Sequence, residues 1–135
     1  MSTDKTMAQF LTEYRITMAA TWAQDNPHMS DPIAGASHWR CTFKRGRQRL
    51  TVPFSMGPAH RGEPEARDVL SCLADDAAGY ENAPDFESWA PDYGYDTDSR
   101  RALKTFATVE KQSAKLKAFL GDEAYEQLLW KTERE

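Results

Sequence analysis

The sequence predicts an α+β fold: a three-stranded antiparallel meander followed by about four helices packed on one face of the sheet. Two observations predict it. Residues 38–57 alternate apolar and polar side chains in two runs separated by Arg45-Gly46-Arg47, the pattern of a β-hairpin. From residue 64 onwards, apolar residues recur at helical spacing between the Pro and Gly residues that begin and end helices. Strands followed by helices indicate an α+β arrangement.

The first strand is the least certain element of the meander. Residues 12–23, TEYRITMAATWA, fit both a helical stripe and strand alternation. Their β-branched residues, and the breakers in the loop 24–36, favour a strand. Strand 38–45 then lies at the centre, and Pro53 places the second hairpin arm at an edge because proline cannot donate to a ladder. We expect residues 1–9 to be loosely ordered.

The four predicted helices are bounded by residues that start or stop helices. Their boundaries are Pro64 to Gly79, Pro84 to Pro91, residues 99–120 with Thr97 or Asp98 as the cap, and a last helix capped by Asp122 after Gly121. The apolar stripe of the long helix begins at Leu103, and Tyr125, Leu128 and Leu129 form that of the last helix.

Composition indicates one domain, residues 1–135, with 40% hydrophobic and 28% charged residues. No apolar run approaches the roughly 20 residues of a membrane span, and the first residues do not resemble a secretory signal. We therefore expect a cytoplasmic protein without membrane contact. The sequence leaves the oligomeric state open, with a monomer slightly favoured. Cys41 and Cys72 are expected to be free and buried, as is usual in the cytosol.

Negative charge is concentrated in one segment. Residues 63–98 contain eleven acidic residues and one basic residue, a net charge of −10. The segments before and after it have net charges of +4 and +2. Eleven carboxylates that repel one another reduce stability, and such a block is explained if a positive surface on a partner receives it.

Aromatic residues lie among these acids, and aromatic side chains are common anchors of protein interfaces. We therefore predict a partner-binding surface from the following residues: Asp75, Asp76, Glu81, Asp85, Glu87, Trp89, Asp92, Tyr93, Tyr95 and Asp96. Trp89 or Tyr93 is the expected central anchor. The alternative is that Phe86 or Trp89 belongs to the core.

No motif of catalysis or metal binding is found. GxSxG, HExxH, P-loop and GxGxxG patterns are missing from the sequence. Asp92, Asp96 and Asp98 resemble part of a calcium loop but lack its Gly and its bidentate Glu. His60 could act as a general base, yet no nucleophile or carboxylate pattern accompanies it. We therefore expect no enzyme activity, no catalytic residue, no metal and no cofactor.

The hairpin is basic. Arg40, Lys44, Arg45, Arg47 and Arg49 place five positive charges in ten residues. They could contact phosphates, or they could simply keep the solvent side of an edge soluble. Because the whole chain is acidic, we favour the second interpretation and expect no direct contact with nucleic acid.

Three segments together resemble a family of small phage- and prophage-encoded proteins, some of which are candidate anti-CRISPR proteins. The segments are HWRCTFKRGRQRLTVPFSMG, VLSCLADDAAGYENAPDFESWAPDYGYDTDSRRA and KLKAFLGDEAYEQLLW, and the likeness covers about residues 10–131. The family-like positions are Trp39, Met56, Gly57, Phe86, Trp89, Tyr93, Gly94, Tyr95, Asp96, Asp98 and Ser99, which could equally be structural.

The resemblance implies a non-enzymatic inhibitor of a CRISPR effector, namely a type I Cascade, and it gives no catalytic residues. We expect the acidic surface to mimic DNA and to occupy a Lys/Arg-lined site near the protospacer-adjacent motif. Two other functions remain open: a nucleic-acid-binding accessory protein that uses hairpin 40–49, and a structural or assembly protein of a phage particle.

Overall fold

A computed structural model describes residues 4–22, 37–56 and 62–134 of the chain. Its strands are β1 (Lys5–Thr6), β2 (Thr17–Trp22), β3 (Ser37–Arg45), β4 (Gln48–Met56) and β5 (Thr132–Glu133). Its helices are α1 (Met7–Glu13), α2 (Ala66–Asn82), α3 (Phe86–Asp92), α4 (Arg100–Leu120) and α5 (Asp122–Trp130). The α+β class is confirmed. His60, Gly57 and the loop 24–36 lie outside the described residues.

The predicted meander is present. The order of its strands is β2-β3-β4, both pairs are antiparallel, and β3 is central. Gly46 takes a positive φ of 60° in the hairpin turn, a conformation that glycine adopts without steric cost. Pro53 lies in β4, at an edge of the sheet as expected. Trp39, Cys41 and Phe43 of β3 are buried, so this face of the sheet meets the helices.

The ambiguous segment near the N-terminus contains both structures. The prediction of a strand over 12–23 is correct only from Thr17, because α1 occupies residues 7–13. The chain changes direction at Arg15, whose φ of 56° lies in the left-handed region. Met7 and Phe10 are the buried residues of the helical stripe, and Met18 and Ala20 of β2 pack against the same core.

The expectation that residues 1–9 are loosely ordered is wrong for the described part, residues 4–9. Thr6 accepts a hydrogen bond from the Gln9 backbone, and the Gln9 side chain accepts one from the Thr6 backbone. This capping box begins α1. The short strand β1 also pairs in parallel with β5, with Lys5 opposite Thr132. The two ends of the described chain are therefore joined.

The later helices are confirmed with shifted ends. Helix α2 begins at Ala66 rather than Pro64, and it passes through Gly79 to Asn82. Asp85 caps α3 through the Ser88 backbone N–H, and Ser99, not Thr97 or Asp98, caps α4. In α4, Ala102 is buried whereas Leu103 is 52% exposed. Asp122 is the first residue of α5 rather than its cap.

The core has two parts. The larger part lies between the sheet and helices α1, α2, α4 and α5, and it includes Cys41. The smaller part joins α3 to α4 through Trp89, Phe106 and Val109. Both cysteines are free, but only Cys41 is buried; Cys72 is exposed on α2, which corrects its predicted burial.

Arg45 joins the sheet to the helices. It lies at the end of β3, on the same face as Phe43, and donates a hydrogen bond to the carbonyl of Leu120 at the end of α4. Its guanidinium carbon is 5.5 Å from the centroid of the Tyr14 ring. A cation at the negative end of a helix is stabilising. Arg45 therefore has a structural role that its place in the basic hairpin does not reveal.

Candidate partner-binding surface

The aromatic residues after α2 form a stack rather than a set of surface anchors. Trp89 is 2% exposed and lies between two tyrosines. Its ring centroid is 4.9 Å from that of Tyr93 and 5.7 Å from that of Tyr95, with interplanar angles of 28° and 14°. The edge of Phe106 in α4 packs against it at 5.3 Å. The choice of Trp89 as a surface anchor is therefore corrected, because its side chain is the centre of the smaller core.

Tyr93 differs from Trp89 because it reaches solvent. Its side chain is 45% exposed, although one side of the ring is fixed by Trp89. Its hydroxyl lies against Gly79 of α2: a Cβ at position 79 would come within 1.7 Å of the Tyr93 oxygen. Helix α2 thus has a glycine at the position where the Tyr93 hydroxyl packs against it. The result is an exposed aromatic ring whose position is set by two packed neighbours.

Carboxylates surround the Tyr93 hydroxyl. Burial raises the pKa of Tyr93, and the negative charges of Asp76, Asp75 and Asp92 raise it further. We call these four residues the Tyr93 cluster. Asp76 and Asp92 are exposed, and their carboxylates make no hydrogen bond or ion pair with other residues of the described ranges. The cluster therefore presents an aromatic ring within a field of negative charge.

The other predicted acids divide into two groups. Three have structural roles: Asp85 caps α3, the Glu81 carboxylate accepts a hydrogen bond from the Tyr125 hydroxyl at 2.9 Å, and Asp75 pairs with Arg134 at 2.5 Å. Glu87 and Asp96 are exposed, as are Asp76 and Asp92. Tyr95 is half-buried against Trp89. All seven predicted acids are exposed, so Trp89 is the one member of the predicted set that is buried.

Arg134 shows how Asp75 is used. The same guanidinium donates to the carbonyls of Leu128 and Leu129 at the end of α5, at 3.1 and 2.9 Å. It therefore joins the C-terminal turn of α5 to α2 through Asp75. Replacing Asp75 would disturb this junction, so Asp76 and Asp92 are better positions for testing a partner.

Two residues near the cluster were missed by the sequence prediction. Gly79 was assigned to the end of α2, yet an isolated glycine within a helical pattern often has a packing reason. Cys72 was expected in the core. Although Cys72 is exposed, partial desolvation raises the pKa of its thiol, and the negative charges of Asp76, Asp75 and Asp68 raise it further.

No group of three or more His, Cys, Asp or Glu residues in the described part of the chain could hold a metal ion. None of its helices combines the length and the apolar character that crossing a bilayer requires. No family model, no curated protein and no solved structure matches this chain. Geometry and charge are therefore the main support for a function.

The contact between Gly79 and Tyr93 makes a testable prediction. Gly79→Ala should reduce the free energy of unfolding by roughly 1–3 kcal/mol, because the new methyl group overlaps the Tyr93 hydroxyl. In a Tyr93→Ala background the same substitution should stabilise α2 by up to about 1 kcal/mol, since alanine favours helix more than glycine does. Urea unfolding followed by circular dichroism measures both. An equal cost in the two backgrounds would contradict the contact.

Asp76 provides a prediction about pH. Asp76 is in contact with solvent, but neighbouring protein atoms partly desolvate its carboxylate; this desolvation and the charge of Asp75 raise the pKa of Asp76 above its ordinary value of 3.8, so its charged form is disfavoured in the folded state. Asp76→Asn should therefore raise the free energy of unfolding at pH 7. This difference in the free energy of unfolding should shrink as the pH falls through the raised pKa. Asp76 of the folded parent protein is then protonated, which removes the same unfavourable charge that the substitution removes.

The matched control is Asp96→Asn, which removes an equal charge from an exposed turn and should change stability by no more than about 0.5 kcal/mol. Urea titrations at pH 7 and near pH 4.5 compare the three proteins. An Asp76→Asn protein that is less stable than the parent at pH 7, or whose advantage grows in acid, would refute this account of Asp76.

Proposed function

We propose that this protein binds a basic, nucleic-acid-binding surface of another protein and blocks it with the surface around Tyr93. The observation that carries the proposal is the Tyr93 cluster: an exposed, fixed aromatic ring beside three aspartates. A ring held in place loses little conformational entropy on binding. Neighbouring carboxylates attract Lys and Arg side chains and increase the rate of encounter.

The chemistry of the cluster defines the partner. A guanidinium group can stack on the exposed ring of Tyr93 and pair with a carboxylate at the same time. Surfaces that present several such groups in a cell are those that hold nucleic acid. The carboxylates would take the places of phosphates, so that the surface acts as a mimic of DNA.

The partner we propose is a type I CRISPR surveillance complex, Cascade, at its basic site for target DNA near the protospacer-adjacent motif. The support for this choice is the resemblance to small phage proteins described above. The protein would then serve a phage or mobile element in evading host defence. It would act in the cytoplasm of the bacterial host, where Cascade acts.

The proposed mode of action is occupancy rather than catalysis. A blocker must fill its target, so inhibition should require about one molecule per binding site and should reverse on dissociation. An enzyme would act below stoichiometry, and its effect would persist after its removal.

The test is inhibition of target-DNA binding by a purified type I surveillance complex. The parent protein should inhibit with a stoichiometric end point, and Asp76→Lys/Asp92→Lys should weaken inhibition by at least about tenfold, since it places like charges against the basic site. Tyr93→Ala should weaken it by roughly 30-fold, the loss typical of an interface anchor. Added salt should weaken the parent, because exposed charges are screened beyond about 8 Å at physiological ionic strength.

The matched control is Glu126→Lys/Glu133→Lys, which changes the net charge equally at two exposed positions outside residues 63–98. It should inhibit like the parent, and circular dichroism should show that all variants are folded. Equal inhibition by the parent and by both folded cluster variants would rule out the Tyr93 cluster as the binding surface. Complete inhibition far below stoichiometry would rule out occupancy.

A further inference from the structure

The face of the β2-β3-β4 sheet that points away from the helices is open. Side chains alternate between the two faces of a strand, and the residues of β3 between the buried Trp39, Cys41 and Phe43 point outward. The register places each of them beside outward residues of the neighbouring strands. The outward residues are Thr17, Ala19 and Thr21 of β2, His38, Arg40, Thr42 and Lys44 of β3, and Arg49, Thr51, Pro53 and Ser55 of β4.

The structure sorts the five cations of the hairpin by face. Arg40, Lys44 and Arg49 are exposed on the open face, and Lys44 lies directly opposite Arg49. Arg45 points to the other face, where it binds the end of α4, and Arg47 lies in the turn. Arg40 and Lys44 are four residues apart on one strand, a separation of roughly 13 Å. The open face thus carries three cations in a fixed arrangement.

The other described residues of the open face offer these cations no acidic partner. None of its eleven residues is acidic, and the residues between the cations are mostly Thr, Ala and Ser. The Thr42 and Thr51 hydroxyls pair with each other across the strands at 3.0 Å. Small side chains allow a polyanion to approach the sheet closely, and hydroxyls can donate hydrogen bonds to phosphate oxygens.

We propose that this open sheet face binds the phosphate backbone of double-stranded nucleic acid through Arg40, Lys44 and Arg49. The argument is one of charge complementarity between three cations, which have no acidic residue beside them on the described part of this face, and a dense row of phosphates. None of the eleven outward residues described here by their register is Phe, Tyr or Trp, so the strands themselves offer no stacking platform for unpaired bases. A duplex backbone is therefore a better ligand than a single strand.

The net charge of −4 led us to expect no binding to nucleic acid. The fold, however, separates the acidic segment from the cations of the sheet. The acidic segment belongs to the helical layer and the cations point away from it, while packed elements are about 8–10 Å apart. That separation is similar to the Debye length of about 8 Å at physiological ionic strength. The acids therefore weaken the attraction of the open face without cancelling it.

Helix α4 is the other basic element of the described chain. It carries six Lys and Arg residues against one acid, Glu110. This helix packs with the acidic helices α2 and α3, so its cations share a layer with the acidic segment. The open sheet face has the less compensated charge, and α4 supplies a matched control.

The experiment measures fluorescence anisotropy of a labelled duplex DNA of about 24 base pairs against the full-length protein, with no protein partner present. Three phosphate contacts predict a slope of roughly −2.7 in a plot of log affinity against log salt. Affinity should therefore fall by on the order of 100-fold between about 30 and 150 mM salt, and binding should be lost near physiological salt. Because no partner is present, the result is independent of the proposed block of a surveillance complex.

Two variants test the face in about 30 mM salt: removal of its three cations should abolish binding, and one acid added among them should weaken it. Arg40→Ala/Lys44→Ala/Arg49→Ala removes the cations, whereas Ala19→Glu keeps them and adds an acid to the same face. If one of the two variants does not fold, the other still tests the proposal. The control Lys104→Ala/Lys111→Ala/Lys115→Ala makes the same change in net charge at exposed positions of α4, and it should bind like the parent.

Three results would overturn the proposal. One is that the folded sheet variants bind the duplex as tightly as the parent does, or that the α4 control loses binding. Another is tighter binding to an unpaired strand than to the duplex. The third is displacement of the duplex by polyglutamate at equal charge as effectively as by unlabelled duplex, which would mean that the face recognises an acidic polypeptide.

Discussion

The stacking of Trp89 between Tyr93 and Tyr95 is the interaction on which the acidic surface depends. Helix α3 has only seven residues, too few to be stable alone, so its position comes from this packing against α4. The Trp89 Nε1 group is buried without an acceptor in the described part of the chain, which costs roughly 1–3 kcal/mol. The aromatic contacts must outweigh that cost. They also fix Tyr93 against Gly79 and bring Asp92 near the aspartates of α2.

Charge is distributed between the two layers in a way that suits two opposite ligands. The helical layer gathers carboxylates, and partial burial together with the charge of Asp75 raises the pKa of Asp76 there, a loss of stability that packing elsewhere must offset. The open face of the sheet carries cations and hydroxyls without acids. Arg45, which points inward and binds the end of α4, holds the layers together. The surface proposed to mimic nucleic acid and the face proposed to bind it can therefore occupy one small protein without neutralising each other.

Local patterns in the sequence were enough to predict the hairpin, the central strand and the existence of helices α2 to α5. Each of these depends on alternation, helical spacing or a turn residue within a short window. The predictions failed where contacts between residues far apart in the sequence determine the local structure. Gly79 lies within α2 and does not end it; its missing side chain leaves space for the Tyr93 hydroxyl. Residues 5–13 are ordered because β1 pairs with β5 and α1 packs on the core.

The same distinction applies to the proposed surface. Its acidic and aromatic composition was visible in the sequence, but alternation and spacing do not reveal which aromatic ring is buried. Trp89 became core because α4 supplies Phe106, whereas Tyr93 kept one side exposed. The roles of Asp75 and Glu81 depend on Arg134 and Tyr125, partners that are 59 and 44 residues away in the chain. Only the fold brings these pairs together.

The packing of Tyr93 on Gly79 and Trp89 is the central claim, and nuclear Overhauser effects in the folded protein test it most directly. The account predicts cross-peaks from the Gly79 Hα protons to the Tyr93 ring, together with Tyr93 ring protons shifted upfield by the face of Trp89. Tyr93 ring signals at the values of an unfolded peptide, without cross-peaks to Gly79, would contradict it.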